Sequence, residues 1–336
     1  MTDEPARSKL QNPLQFLVTW RSFPYYELIG YVFMFAGTIM FAYGIHRYVW
    51  QEYRVILLSI ATLYSGFFAA LIWNDITDVD IDSVVHPTRP IPERRISPTM
   101  FFGIALIFSA LTFIFAFLLS PWCFILVGVA AVFTAIHNKW LKRLVKFPAY
   151  SEIFTPVQWL VVPLFGFFVV WSVLRQTGSY MISVPVLGNL YLEKADLVPL
   201  VLLVLFTYLA DDAHDVAEGV HDMDGDRVSG VRTYSTSFSP RVASYVALGM
   251  VVIAGILGIL MYFFTLLSEI FLLPFLIVWG YTLIYFVQLA RTKDLMQKQE
   301  LGRLVGRKGY NFLLFSYLLI FLDLFVQLTL ALTRTC

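Results

Sequence analysis

Residues 73–97 read WNDITDVDIDSVVHPTRPIPERRIS and follow directly on the apolar run VILLSIATLYSGFFAALI, residues 55–72. Asp75, Asp78, Asp80 and Asp82 therefore crowd the edge of a stretch suited to hydrocarbon. A carboxylate at bilayer depth costs several kcal/mol, so a partner base, a water-filled cavity or a metal ion must offset it.

The remainder of the chain confirms the hydrocarbon setting. Hydrophobic residues make up 59% and charged residues 14%, whereas soluble domains carry roughly a quarter charged residues. Apolar runs of spanning length, about 17–25 residues, lie at about 25–46, 54–73, 100–119, 121–138, 154–174, 196–212, 241–264, 267–290 and 310–332. The runs are too long and too continuous for membrane strands, so an all-α bundle of nine transmembrane helices is expected. A single domain over 1–336 is expected, with a polar N-terminal arm at 1–20. The net charge of +1 excludes a general affinity for nucleic acid. Cys123 and Cys336 have no metal-type neighbours, and the N-terminus lacks the apolar core and cleavage site of a signal peptide.

Lysine and arginine sort by side. Arg7, Lys9 and Arg21 precede the first run, Arg89, Arg94 and Arg95 follow the second, and Lys139, Lys142, Arg143 and Lys146 follow the fourth. Arg227, Arg232 and Arg241 follow the sixth, and Arg291, Lys293, Lys298, Arg303, Arg307 and Lys308 follow the eighth, so 19 of 24 basic residues share one side. Arg47, Arg54, Arg175, Lys194 and Arg334 fall on the other. This distribution places the N-terminus and all the acidic clusters in the cytoplasm and the C-terminus on the opposite side.

A second acidic stretch, YLADDAHDVAEGVHDMDGDRVSGVRT at 208–233, ends the sixth run. On a continuous helix Asp75, Asp78 and Asp82 share one face, and so do Asp215, Asp222 and Asp226, with Asp211 one turn earlier. Acids at one helix end are ordinarily solvated. Two such clusters, each helically phased and each on the basic side, point instead to a shared site for a hard cation. Magnesium takes one or two carboxylates and completes its shell with waters and phosphate oxygens. A calcium loop is excluded, because no glutamate follows DMDGDRVSG at the required spacing.

The pattern N-D-x-x-D-x-x-x-D over Asn74–Asp82, the following HPTRPIPERRIS, the later DMDGDRVSGVRT and the basic HNKWLKR resemble the UbiA superfamily of intramembrane prenyltransferases. The resemblance covers about residues 15–332. It implies nine helices around a central cavity, capped by cytoplasmic loops and short helices, with magnesium and an isoprenyl diphosphate beneath the cap. By position, Asn74, Asp75, Asp78 and Asp82 match the first motif. Asp215, Asp222 and Asp226 match the second, with Arg227, Gly230 and Thr233 as its tail. The resemblance makes these acids and Asn74 the metal ligands, and Asn74, Arg89, Lys142, Asp211 and Arg227 the contacts to substrate. Asp75, Asp78, Asp82, Asp215, Arg89 and Lys142 then carry the chemistry. Two departures stand out: His137 replaces a tyrosine common before the lysine, and Gly219 lies where many members carry an acid, with Glu218 one step away.

An allylic diphosphate ionises when its leaving group is charge-stabilised, the task of bound Mg2+ and of the fixed charges of Arg89 and Lys142. Pro87, Pro90 and Pro92 hold the Arg89 loop extended. Glu27, alone in the first run, faces the interior or an interface. His214 and His221 flank the second acidic stretch. The expected activity is transfer of a polyprenyl group from its diphosphate to a hydrophobic, aromatic acceptor, such as a quinone or chromanol precursor, within the lipid bilayer. A terpene cyclase of the same superfamily is the alternative. A cation transporter is disfavoured, since transport sites lie near the midplane on broken helices.

The charge asymmetry has a direct test. Single cysteines replacing Asp78, Lys142 and Asp222 should react with an impermeant thiol reagent from one side of the membrane, and one replacing Lys194 from the other. Labelling of positions 78 and 222 from different sides overturns the shared-site reading.

Overall fold

The computed structural model describes residues 24–44, 52–85 and 87–333. The polar arm at 1–20, Arg21, Arg47, Arg334 and Cys336 lie outside the described residues. Nine helices among the described residues are long and apolar enough to cross a membrane, so the chain is an integral, multi-pass membrane protein.

The helices are α1 (Tyr25–Tyr43), α2 (Tyr53–Thr77), α3 (Val79–Val85), α4 (Pro98–Leu119), α5 (Pro121–Ile136), α6 (Tyr150–Phe154), α7 (Val161–Val169), α8 (Leu197–His221), α9 (Met223–Ser229), α10 (Pro240–Phe264), α11 (Glu269–Arg291) and α12 (Leu295–Thr333). The short helices α3 and α9 do not span, whereas α6 and α7 belong to one span, Tyr150–Leu174, and are joined by the tight turn Pro156–Leu160. Two spans run further than hydropathy indicates: α8 continues to His221, and α12 begins at Leu295 rather than near 310. The extra turns carry the acids of α8 and the bases Lys298, Arg303, Arg307 and Lys308 of α12, which hydropathy scores as loop although they are helical.

Three spans start on Ser-Pro. Ser97, Ser120 and Ser239 accept hydrogen bonds from the backbone N–H groups of Met100 (3.2 Å), Cys123 (3.1 Å) and Val242 (3.2 Å), and Pro98, Pro121 and Pro240 begin the helices. A serine N-cap followed by proline at N1 satisfies an orphan donor and presets helical φ.

Burial then selects the faces. Along α4 only Phe101, Ala105, Thr112 and Ala116 are buried, a single narrow stripe, while Phe102, Leu106, Ile107, Ile114, Phe117 and Leu118 point outward. Consecutive spans close a ring, with α1 packed on α12, α2 on α4, α8 on both α10 and α12, and α11 on α12. The far end, away from the acidic stretches, is pinned by polar contacts. Asp323 accepts from the Ser268 backbone N–H (2.6 Å) and hydroxyl (2.7 Å), and Asp196 accepts from Trp171 Nε1 (2.6 Å) and Arg175 Nη2 (3.1 Å). A hairpin, β1 (Tyr180–Val184) antiparallel to β2 (Gly188–Leu192), lies between α7 and α8 at this end. It adds the one sheet to an otherwise helical architecture among the described residues. Gly188 takes the positive φ of 79° that its turn requires.

α1 and α7 pack tightly at Gly166. Thr38, fully buried, donates to Val162 O (3.1 Å), and a Cβ at Gly166 would lie 2.7 Å from Thr38 O. Gly166→Ala should therefore destabilise the protein by about 1–3 kcal/mol through overpacking. Gly249→Ala, with nothing within 4 Å, should be neutral or gain up to about 1 kcal/mol from helix propensity. Thermal unfolding of the two variants in one detergent distinguishes these outcomes.

Candidate functional site

The first acidic stretch does not continue α2 unbroken. The helix stops at Thr77, Asp78 sits at φ −102° and ψ 13°, and α3 resumes at Val79. The backbone bonds Asp78 N to Asn74 O (2.9 Å) and Asp82 N to Asp78 O (2.8 Å) keep helical spacing across the break. Asp75, Asp78 and Asp82 are therefore all buried, whereas Asp80 is exposed. Asn74 is half-buried, and its carbonyl also accepts from Thr77 Oγ1 (3.1 Å). Arg89 reaches back from its loop and donates to Asp75 (3.3 Å) and to both oxygens of Asp82 (2.7 and 2.6 Å). Burial raises the Asp82 carboxyl above its ordinary range, and Arg89 opposes that rise.

The second stretch is also broken: α8 ends at His221, Asp222 caps it, and α9 follows. Asp222 N bonds to Glu218 O (3.0 Å) and Asp226 N to Asp222 O (3.0 Å), so the helical spacing again survives. Asp211 and Asp212 are fully buried, and neither oxygen of either carboxylate has a hydrogen-bond partner among the described residues. His214 lies between two acids, its Nδ1 3.8 Å from Asp211 Oδ1 and its Nε2 3.5 Å from Asp215 Oδ1, and it stacks on Tyr310 at 4.8 Å. Burial and the nearby Asp222 push Asp226 up to about 7, with Lys142 opposing. A carboxyl raised on folding stabilises the folded state only while it is protonated. That contribution is lost as pH rises from the usual carboxylate range through about 7.

Lys142 joins the two stretches. Its Nζ lies 3.5 Å from Asp78 Oδ2, and its charge acts on Asp215 and Asp226 across the site. Helix α3 also touches α9. Lys142 is aimed by a π turn over His137–Leu141 that ends the α5 span, a local distortion often found at functional sites. His137, standing at the position common to tyrosine in the resemblance, is buried between Phe133 (5.8 Å) and Tyr150 (5.6 Å).

Most of the sequence-designated residues meet here, and one does not. Arg227 is exposed, its guanidinium 3.7 Å from Met223 Sδ and 3.9 Å from Asp224 Oδ1, directed away from the buried acids. The reason is local: in α9 it falls on the outward side with Asp224 and Val228. Gly230 takes φ 72° to turn the chain, and Thr233 caps the helical turn Tyr234–Ser237. Glu27 faces the interior and is 5% exposed. Two acids were missed by motif spacing. Asp212 lies one step off the stripe yet is buried, and Glu152, on α6, is buried beside Asp212, Asp215 and Asp226.

The donor set fits magnesium. It is made of carboxylate oxygens, the acids outnumber Arg89 and Lys142, and the unpartnered oxygens of Asp211 and Asp212 are left with lone pairs unsatisfied. Buried carboxylates in such excess over bases match hard, oxygen-seeking cations. Below them Tyr31, Tyr64, Phe67, Phe68 and Trp159 form an aromatic wall, with Tyr31 and Phe67 rings 4.2 Å apart and Tyr31 stacked on Trp159 at 6.0 Å.

An apolar helical ring with carboxylates and fixed bases at one end is the architecture of a membrane-embedded enzyme handling a charged head and a greasy tail. Residues 31–306 match the model of the UbiA prenyltransferase family, and the chain belongs to that family. Its fold is similar to a UbiA homologue from Aeropyrum pernix K1, with TM-score 0.66 and 18% identity over 91% of this chain and 99% of the other. It is also similar to a UbiA homologue from Archaeoglobus fulgidus bound to DMAPP and Mg2+, with TM-score 0.54 and 16% identity over 86% and 96% of the two chains. Among curated relatives, the digeranylgeranylglyceryl phosphate synthase of Natronomonas pharaonis is 30% identical over 203 residues, 59% of this chain and 62% of the relative's length. That of Methanococcoides burtonii is 29% identical over 248 residues, 73% and 78% of the two lengths.

Loss of one carboxylate from a shared cation site costs about 10–100-fold in affinity or more. Asp78→Ala and Asp215→Ala should therefore reduce Mn2+ binding, followed by electron paramagnetic resonance, at least tenfold. Asp80→Ala and Asp224→Ala, altering exposed side chains, should stay within about twofold. Equal sensitivity at Asp78 and Asp80 contradicts the assignment.

Proposed function

We propose that this chain transfers a prenyl group from an isoprenyl diphosphate to a lipid-soluble acceptor, with magnesium, at the basic end of the bundle. The observation that carries the reading is that the two acidic stretches meet: Lys142 lies 3.5 Å from Asp78 and its charge reaches Asp215 and Asp226, α3 touches α9, and Arg89 pairs with Asp75 and Asp82. Asn74, Asp75, Asp78, Asp82, Asp215, Asp222 and Asp226 would hold Mg2+, which when bound supplies Lewis-acid neutralisation of the diphosphate.

The chain's own residues do the rest. Lys142 and Arg89, both about one-fifth exposed, offer fixed positive charge to the diphosphate as its bond to the allylic carbon breaks and the electron pair leaves with the oxygen. The ion pairs of Arg89 with Asp75 and Asp82 hold its guanidinium at the rim until then. The aromatic wall excludes water and presents ring faces to the allylic cation, each worth about 0.5–2 kcal/mol. The acceptor hydroxyl attacks that carbon from the interior side. Its proton passes to the Asp211 carboxylate, one helical turn deeper than Asp215 and 3.8 Å from His214 Nδ1.

Digeranylgeranylglyceryl phosphate synthases among the relatives support a glyceryl phosphate lipid as the acceptor, in place of the aromatic one expected from sequence. Their name likewise supports a geranylgeranyl donor. The charge asymmetry supports a cytoplasmic position for the site. A cyclase shares the ionisation step but needs no acceptor.

Purified protein supplied with Mg2+ and labelled geranylgeranyl diphosphate should release pyrophosphate rapidly only when a geranylgeranylglyceryl phosphate is added, and the label should appear in an ether lipid. A quinone-precursor acceptor labelled in preference restores the aromatic reading. A cyclic terpene formed without acceptor overturns the transferase.

A further inference from the structure

The acidic stripe of α8 and α9 has a gap. Asp215, Asp222 and Asp226 stand at i, i+7 and i+11, and the place at i+4 is Gly219. A Cβ at Gly219 would overlap Glu152 Oε1, and Thr233 Cβ lies 3.9 Å away. The carboxylate of Glu152 thus lies directly over the bare backbone of the position where the stripe lacks a side chain.

Glu152 is held there firmly. Ala149, at φ 56°, turns the chain into α6, and its N–H donates to Ser237 Oγ (3.0 Å). Ser151 N–H donates to Arg232 O (3.0 Å), and the Tyr208 hydroxyl donates to Ile153 O (2.8 Å). Glu152 Oε2 accepts from the Tyr234 backbone N–H, whereas Oε1 has no hydrogen-bond partner among the described residues. The residue is 4% exposed, and Asp212, Asp226 and Asp215 all lie close enough to repel its charge. A helix-capping role explains one oxygen. It does not explain a second, buried and unpartnered, facing three more acids, since an uncompensated buried charge is strongly unfavourable.

We propose that Glu152 is a cation-holding carboxylate of the site, supplied from α6 to the place that Gly219 leaves open. Gly219 is the complementary half of this arrangement, because any side chain there displaces Glu152. The inference rests on the magnesium reading above and assigns that site a residue outside both acidic stretches. The geometry also makes the two positions exchangeable: an acid restored at 219 on the helical backbone occupies the same volume once residue 152 is shortened.

The test is Mn2+ titration of the purified full-length protein by electron paramagnetic resonance, with wild type and Asp78→Ala in the same series. Glu152→Gln keeps an oxygen for the Tyr234 N–H and should preserve metal-free thermal unfolding while weakening Mn2+ binding by about tenfold or more. Glu152→Ala should weaken it similarly, and the double variant Glu152→Ala with Gly219→Asp should recover most of the loss. Glu152→Gln with unchanged Mn2+ affinity, beside an Asp78→Ala that binds weakly, overturns this proposal alone and leaves the capping role. Failure of the double variant to recover affinity, when it unfolds like wild type, also overturns it. Wild type that binds no Mn2+ overturns both this proposal and the magnesium reading.

Discussion

Crowded, buried negative charge is the constraint on which the rest of the molecule depends. Asp75, Asp78, Asp82, Asp211, Asp212 and Glu152 are all buried, and they outnumber Arg89, Lys142 and His214, the bases seen against them among the described residues. Charges taken out of water in such a ratio repel one another and lose hydration, and a pairing base for each would be the ordinary remedy. Instead the backbone is distorted in three places to concentrate them: breaks at Asp78 and Asp222, and a π turn before Lys142. Each distortion costs helical hydrogen bonding or geometry. Their coincidence at one end of one bundle makes sense if a cation and an anionic substrate offset the repulsion together.

The scaffold tolerates this because its stability comes from elsewhere. Aromatic and aliphatic side chains from α1, α7, α8 and α12 fill the centre, with Tyr31, Phe35, Phe165, Phe206, Phe312 and Tyr317 almost wholly buried. The opposite end is closed by fully partnered polar groups, such as Asp196 with Arg175 and Trp171, and Asp323 with Ser268. The contrast is informative: buried acids far from the basic end have their bonds satisfied, while Asp211 and Asp212 do not.

Sequence showed the spans because hydrocarbon imposes a minimum run of apolar residues, and it showed the acidic stripes because helical spacing survives a break in the helix. Asp80 and Asp224 fall outside the buried set for the same reason. Other features were illegible for physical causes. Hydropathy ends a span where charge begins, so the last turns of α8 and the first of α12 read as loop. Which face of α4 turns inward has no signature in a helix apolar on all sides. Arg227 sits beside the stripe in the chain but outside it in space, since α9 restarts after Asp222. Glu152 lies in an otherwise apolar, aromatic stretch, and only the tertiary fold reveals that Gly219 clears a place for it.

The depth of the acids bears on mechanism. A transport site needs its ligands near the midplane, reachable in turn from both faces. Here the carboxylates are at the ends of α2 and α8, beside Arg89 and Lys142, with the aromatic wall of Tyr31, Phe67 and Trp159 on the membrane side of them. A cation released toward that wall would meet ring faces and hydrocarbon, with Asp196 and Asp323 at the far end already engaged by protein donors. For a prenyl diphosphate the same layout is an advantage. The charged head keeps its bases and its access to water, the tail lies in hydrocarbon, and the breaking bond falls at the boundary between them. An allylic cation formed at that boundary is met by ring faces instead of water.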